Sequence, residues 1–241
     1  MQNPFDFTGK VVLVTGVARP GQIGHGVAKA FGEAGAKLVL ADVNAVAVAE
    51  RAREFTALQF TAEPAAGDLT DPDVADHAIE VAMKKFGRLD ALVNVAGGLT
   101  TYGPAEKLDL KGFDREININ LKTAFLMSRA AAGALERSKG AIVNFSSLAL
   151  LRPMAPMAVY AAAKAGVGAL TWSLAKEWLG KVRVNAVAPT TVRTPENMAS
   201  ITDPNAKYLE LEQLIAAVMF LASPASSAIT GHILPLVGPD L

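Results

Sequence analysis

Short apolar runs alternate with longer segments whose apolar residues return at helical period, from residue 11 to residue 237. Runs of strand length stand at 11–15, 37–41, 58–61, 89–95, 141–145, 182–187 and 232–237, with 58–61 the weakest. Helical periodicity marks 23–34, 45–55, 73–86, 113–137, 159–179 and 211–221. In the first of these segments Ile23, Val27, Ala30, Phe31 and Ala34 share one face. Most strand runs are apolar throughout, which predicts strands covered on both sides. Strand and helix alternating in this way predict an α/β fold, a doubly wound parallel sheet of about seven strands with helices on both faces. No repeat, low-complexity tract or linker breaks the pattern, so 1–241 is expected to form a single domain, with a short, turn-rich loop at 195–210.

Composition narrows the chemistry. Lys plus Arg number 23 and Asp plus Glu also 23, so no positive excess points to nucleic acid or an anionic membrane. There is no cysteine, which excludes disulfides, thiolate metal sites and a Cys nucleophile. His25, His77 and His232 lie far apart without metal-ligand spacing, so no metal is expected. Residues 1–10 lack a basic stretch followed by an apolar core, and the apolar stretch 154–172 is broken by Pro156 and Lys164. A cytoplasmic protein without secretion signal or membrane span is therefore expected.

Two groups of residues carry candidate chemistry. Tyr160 and Lys164 are four apart in a helical segment and so share a face, with Ser147 thirteen positions upstream. A free phenol, pKa ~10, is a poor proton carrier at neutral pH, and a fixed cation lowers that value. The pair thus predicts a depressed Tyr160 phenol acting as general acid and base, with Ser147 holding a substrate oxygen against it.

The second group follows the first strand directly: Thr15-Gly16-Val17-Ala18-Arg19-Pro20-Gly21-Gln22-Ile23-Gly24, which opens the first helix. Glycines there permit a tight turn and close approach of backbone to a pyrophosphate, and the helix start supplies unpaired N–H groups. Asp42, at the end of the second strand, is placed to accept hydrogen bonds from an adenosine ribose and to repel a 2′-phosphate.

With these motifs in order along the chain, the sequence resembles the single-domain branch of the short-chain dehydrogenase/reductase family, which has a Rossmann-type fold. The resemblance covers nearly the whole length and rests on Gly16 to Gly24, Asp42, Asp68-Leu69, Asn94-Val95-Ala96-Gly97, Asn120, Ser147, Tyr160 with Lys164, and Pro189 to Thr194. It implies that Asp68 and Leu69 contact the adenine and that Asn94, Ala96 and Gly97 form the backbone wall beside the cofactor. It also implies that Val192 and Thr194 hold the nicotinamide carboxamide. Gly16, Arg19, Gln22, Ile23 and Gly24 fall to the cofactor loop. Tyr160 becomes the general acid/base and Lys164 its partner, which also bonds the nicotinamide ribose. Ser147 binds the substrate oxygen, with Ser146 left to satisfy backbone groups. Asn120 matches a fourth catalytic residue, which holds a water leading protons to solvent, while Asn118 and Asn120 also read as polar turn or cap residues.

The activity so implied is hydride transfer between a secondary alcohol or ketone and a nicotinamide cofactor. Asp42 favours NAD, and Arg19 argues for NADP. One alternative is an NADPH-dependent 3-oxoacyl-[acyl carrier protein] reductase. A catalytically silent nucleotide-binding regulator is another. The partner expected is a small carbonyl or alcohol, with Leu99, Leu148, Leu150, Met154, Met157, Val192 and Met198 as apolar wall. Thr100, Thr101, Tyr102 and Arg152 are polar candidates. The resemblance further implies a homodimer or homotetramer through the helices at 113–137 and 159–179.

The chain also departs from the family. The Gly-rich segment is two residues longer than usual, Gln22 stands where the middle Gly belongs, and Thr190 replaces the Gly after Pro189. Val237 and Pro239 replace the Asp and Gly of the usual last-strand signature. The loop after Thr194 is short, which predicts a more open pocket.

Overall fold

The computed structural model of the chain describes residues 5–152 and 155–238. Met154 and Pro239, singled out above, lie outside them. Seven strands form one sheet: β1 (Val11–Thr15), β2 (Lys37–Asp42), β3 (Ala62–Ala66), β4 (Ala91–Asn94), β5 (Ala141–Phe145), β6 (Arg183–Pro189) and β7 (Ile233–Leu236). Every pairing is parallel and the spatial order is β3-β2-β1-β4-β5-β6-β7. The chain thus winds outward from β1 to one edge, returns beside β1, and winds to the other edge. The reversal opens a crevice at the carboxyl ends of β1 and β4, where open α/β sheets bind ligands.

Strand periodicity sorts the core between two faces. Val12, Val14, Leu38, Leu40 and Val93 point to helices α1 (Ile23–Glu33), α2 (Ala45–Ala57) and α8 (Leu211–Ala222). Val11, Leu13, Val39, Leu92 and Ile142 point to α3 (Pro72–Phe86), α5 (Thr123–Ser138) and α6 (Ala158–Glu177). The expected doubly wound sheet is present.

Two expectations are corrected. The third strand is Ala62–Ala66, not 58–61. Leu58 ends α2, and Gln59 takes a left-handed φ of 65°, which turns the chain before Phe60 packs on Phe55. Glu63 and Pro64 are tolerated because β3 is an edge strand, whose outer N–H groups need no partner. The helix expected over 113–137 is also not continuous. It runs as α4 (Leu110–Ile117), a π-helical turn (Asn118–Lys122) and then α5. The Asn120 side chain bonds across to Gly98 there, and the Thr123 hydroxyl donates to Ile119 O at 2.8 Å. Such π turns often mark functional sites.

Candidate active site

The Gly-rich loop packs against the end of β4. Gly16 has a φ of 74°, and a Cβ on it would lie 3.0 Å from Ala96 Cα. Thr15 Oγ1 accepts from Ala96 N at 2.9 Å. A Cβ on Gly24 would lie 2.1 Å from Gly16 O, so only glycine lets α1 start this close to β1. Gln22 is the N-cap of α1, its side chain making no cap bond, and Ile23 is the first helical residue. Asp42 ends β2 and accepts from Ala18 N (2.9 Å) and Asn44 N (3.1 Å), tying the longer loop to the sheet. Asp68 is exposed and accepts from Thr70 N, and Leu69 is buried.

Arg19 takes a different partner from the one its cofactor role implies. It is ion-paired with Glu196 of α7 (Pro195–Ser200), and both side chains are largely exposed. A Cβ on Gly21 would lie 3.1 Å from Pro195. Val192 and Thr194 are buried at the base of the same segment. Val192 bridges to Leu209, and Thr194 caps α7 by accepting from Asn197 N. The Asn94 side chain is turned into the core, where it donates to Asn144 Oδ1 at 2.9 Å, so only its backbone borders the crevice.

The catalytic candidates converge beside this cradle. Ser147 follows β5 and Tyr160 lies in the first turn of α6. Lys164 is buried one turn further, its Nζ 5.8 Å from the Tyr160 ring centre and donating to Phe145 O at 2.9 Å. Ser146 donates to Lys164 O, which leaves Ser147 as the serine facing the phenol. Asn120 Oδ1 accepts from Gly98 N, and its Nδ2 donates to Gly98 O, both at 3.0 Å. A Cβ on Gly97 would sit 2.5 Å from Asn120 Oδ1.

The electrostatics reverse one expectation. Tyr160 is half-buried, and this burial raises the phenol pKa; the Ser147 hydroxyl pulls it down and the Glu116 carboxylate adds to the rise. Lys164 does not depress it here. Burial lowers Lys164 itself to about 8, against the pull of Glu116. Glu116 is the residue that the sequence reading missed. The available signal was an acid one helical turn before Asn120, on its own face of the helix. Among the described residues no cluster of three or more His, Asp or Glu is arranged to hold a metal, and no helix is long and apolar enough to cross a membrane.

The short-chain dehydrogenase family model matches residues 10–205. The chain belongs to the short-chain dehydrogenase/reductase family. It is similar to D-threitol dehydrogenase of Mycolicibacterium smegmatis, at 35% identity over 97% of this chain and 94% of that protein. It is likewise similar to the 3-oxoacyl-[acyl-carrier-protein] reductase FabG of Thermotoga maritima, at 32% identity over 95% of this chain and 97% of that one. The crystal structure of a short chain dehydrogenase from Mycobacterium smegmatis superposes with a TM-score of 0.86 at 32% identity, covering 97% of this chain and 94% of that one. As a short-chain dehydrogenase/reductase the protein is an oxidoreductase, and members of its family use nicotinamide cofactors.

Proposed function

We propose that this single-domain protein interconverts a secondary alcohol and a ketone with a nicotinamide dinucleotide, NAD in preference to NADP. The observation that carries the reading is the convergence of Ser147, Tyr160 and Lys164 beside a loop whose Gly16 and Gly24 leave no room for a side chain. The residues present suit a dinucleotide: the Gly16 turn, brought close to α1 by Gly24, would hold the pyrophosphate at the start of that helix, Asp42 would hold the ribose, and the segment from Val192 to Thr194 the carboxamide. A nicotinamide ring held there supplies the hydride acceptor or donor.

Tyr160 moves the proton. In reduction its phenol gives a proton to the carbonyl oxygen, and in oxidation its phenolate takes one from the alcohol. A phenol raised by burial suits the donating role at neutral pH, and oxidation gains as pH rises. Ser147 hydrogen-bonds the substrate oxygen and stabilises charge that develops on it. Lys164, still mostly cationic at pH 7, would hold the nicotinamide ribose beside Tyr160 with the ammonium hydrogens that Phe145 O leaves free. The Asn120 side chain is committed to Gly98 and Glu116, so any hold on a relay water falls to its main chain.

Arg19 and the likeness to FabG favour the thioester reductase as the second reading. Fluorescence titration with NADH and NADPH separates the two. Assays with D-threitol plus NAD and with acetoacetyl-CoA plus NADPH should follow. Tighter NADH binding and threitol oxidation support the first reading; NADPH binding and acetoacetyl-CoA turnover replace it with the second. Binding without turnover of any alcohol or ketone tried would favour the silent regulator. Exposed Phe113, Phe125 and Trp172 support assembly through α4 to α6, and sedimentation of a monomer at micromolar protein would refute it.

A further inference from the structure

Glu116 is wholly buried, more so than any other charged residue among those described; Lys164 keeps 5% of its surface exposed and Asp90 9%. A carboxylate this deep is costly unless its oxygens are satisfied. Its Oε2 accepts from the N–H groups of Thr100 (2.9 Å) and Thr101 (2.8 Å) and from their hydroxyls (2.6 and 3.0 Å). Its Oε1 accepts at 3.1 Å from Asn120 Nδ2, which shares its hydrogens with the Glu116 main-chain O at 2.9 Å and Gly98 O at 3.0 Å. Five donors converge on it, the pattern of an ionised, acceptor-only group. An apolar residue would fill this position in α4 without that desolvation cost, so packing alone does not explain the choice.

We infer that Glu116 is a positioning residue: its carboxylate locks the Thr100–Thr101 segment, which the proposed function puts on the substrate side of the crevice, to Asn120, and so fixes that wall against Ser147 and Tyr160. The inference rests on Tyr160 as the proton-transfer group. Asn120 is in turn held by the N–H and C=O of Gly98, so the segment 98–101 and the π turn form one hydrogen-bonded unit around this oxygen pair. Its charge has a second consequence. The charged groups facing Tyr160 are Lys164 on its own helix and Glu116 on α4, with the neutral Ser147 hydroxyl from the end of β5. Glu116 opposes loss of the phenol proton and favours the Lys164 cation.

The test uses the free full-length protein and needs no substrate. Amide hydrogen exchange is followed at 98–101, and ring-labelled tyrosine is titrated by 13C NMR, with Tyr160→Phe assigning the Tyr160 signal. In Glu116→Ala, exchange at Thr100 and Thr101 should rise at least about tenfold relative to β1. In Glu116→Gln the amide oxygen can keep the threonines, but its NH2 opposes Asn120 Nδ2. Gly98 exchange should therefore rise most, and the Tyr160 phenol should titrate at lower pH. Thr101→Val removes one donor and keeps the charge, so it should loosen the segment and leave the phenol titration in place. If Glu116→Ala does not fold, the other two variants decide. Exchange at 98–101 that changes no more than in β1 would overturn the inference. So would a phenol titration unmoved by Glu116→Gln or moved equally by Thr101→Val. Failure to find turnover would defeat the reading of Tyr160 and leave these readouts intact.

Discussion

Lys164 should cost the protein stability, and Lys164→Met tests this. Its ammonium is buried, with one 2.9 Å bond to Phe145 O and no salt bridge among the described residues. Burial moves its pKa from 10.5 to about 8, which corresponds to about 3 kcal/mol in favour of the neutral amine in the folded state. The sign follows from proton binding. Between about 8 and 10.5 the unfolded chain holds this proton more tightly than the folded one. The penalty is therefore complete below about 8 and is relieved as pH rises toward 10.5. Methionine removes the penalty and also the bond to Phe145 O, worth about 1.5–3 kcal/mol. At pH 7 the variant should be between equal to wild type and about 2 kcal/mol more stable, although it has lost the cation beside the phenol. Urea unfolding at pH 7 and 9.5, at one protein concentration, measures the difference. The balance should move toward wild type at the higher pH. A variant more than about 1 kcal/mol less stable at pH 7, or a difference that moves the other way with pH, would refute the burial argument.

Other expectations follow from the same contacts. Gly24→Ala drives a Cβ to 2.1 Å from Gly16 O, so it should lower stability by at least about 1–3 kcal/mol and abolish the NADH fluorescence titration. Arg183 donates to Leu221 O and Ser226 O and Oγ through one nitrogen, and to Ala222 O and Ser223 O through the other, at the end of α8. Arg183→Met should cost about 2–4 kcal/mol, read as a fall in Tm on the order of 10 °C. Asp42→Ala should raise NADPH affinity relative to NADH in paired titrations. Glu196→Gln frees Arg19 and should act in the same direction, with a stability change under about 1 kcal/mol because the pair is exposed.

The parts legible in the sequence are those where local pattern and tertiary demand agree. The apolar runs of β1 and β2 are buried, the Gly-rich turn lies where they end, and α1 packs through the face carrying Val27 and Phe31. β3 was hidden because Glu63 and Pro64 carry no strand preference, and pairing with β2 makes the strand. The π turn was hidden because it depends on Asn120 meeting Gly98, twenty-two residues away. Glu116 reads as the polar face of an amphipathic helix until the segment 98–101 folds over it. For Tyr160 and Lys164 spacing was enough to bring the residues together but not to set their pKa values. The amine goes to Phe145 O, and burial decides both shifts.

The two sides of the crevice are held by acids in opposite surroundings. Over the Gly-rich loop, the short segment after β6 is closed at its base, where Arg193 bonds Glu210 and lies 4.8 Å from the Tyr208 ring. The start of α7 reaches the loop through Pro195 and through the exposed pair of Glu196 with Arg19. Those contacts hold the side of the Gly-rich loop, and on the inference above the stiffness of the opposite side, at 98–101, rests on Glu116. Charge in water is screened and weak, whereas charge in the interior is strong once paired. Raising salt from about 0.05 to 0.5 M should therefore speed amide exchange at Arg19, Gly21 and Gln22 and leave Thr100 and Thr101 unchanged. Equal responses at both places would mean that Glu116 is open to solvent ions, and the reading of it as a buried clamp would fall.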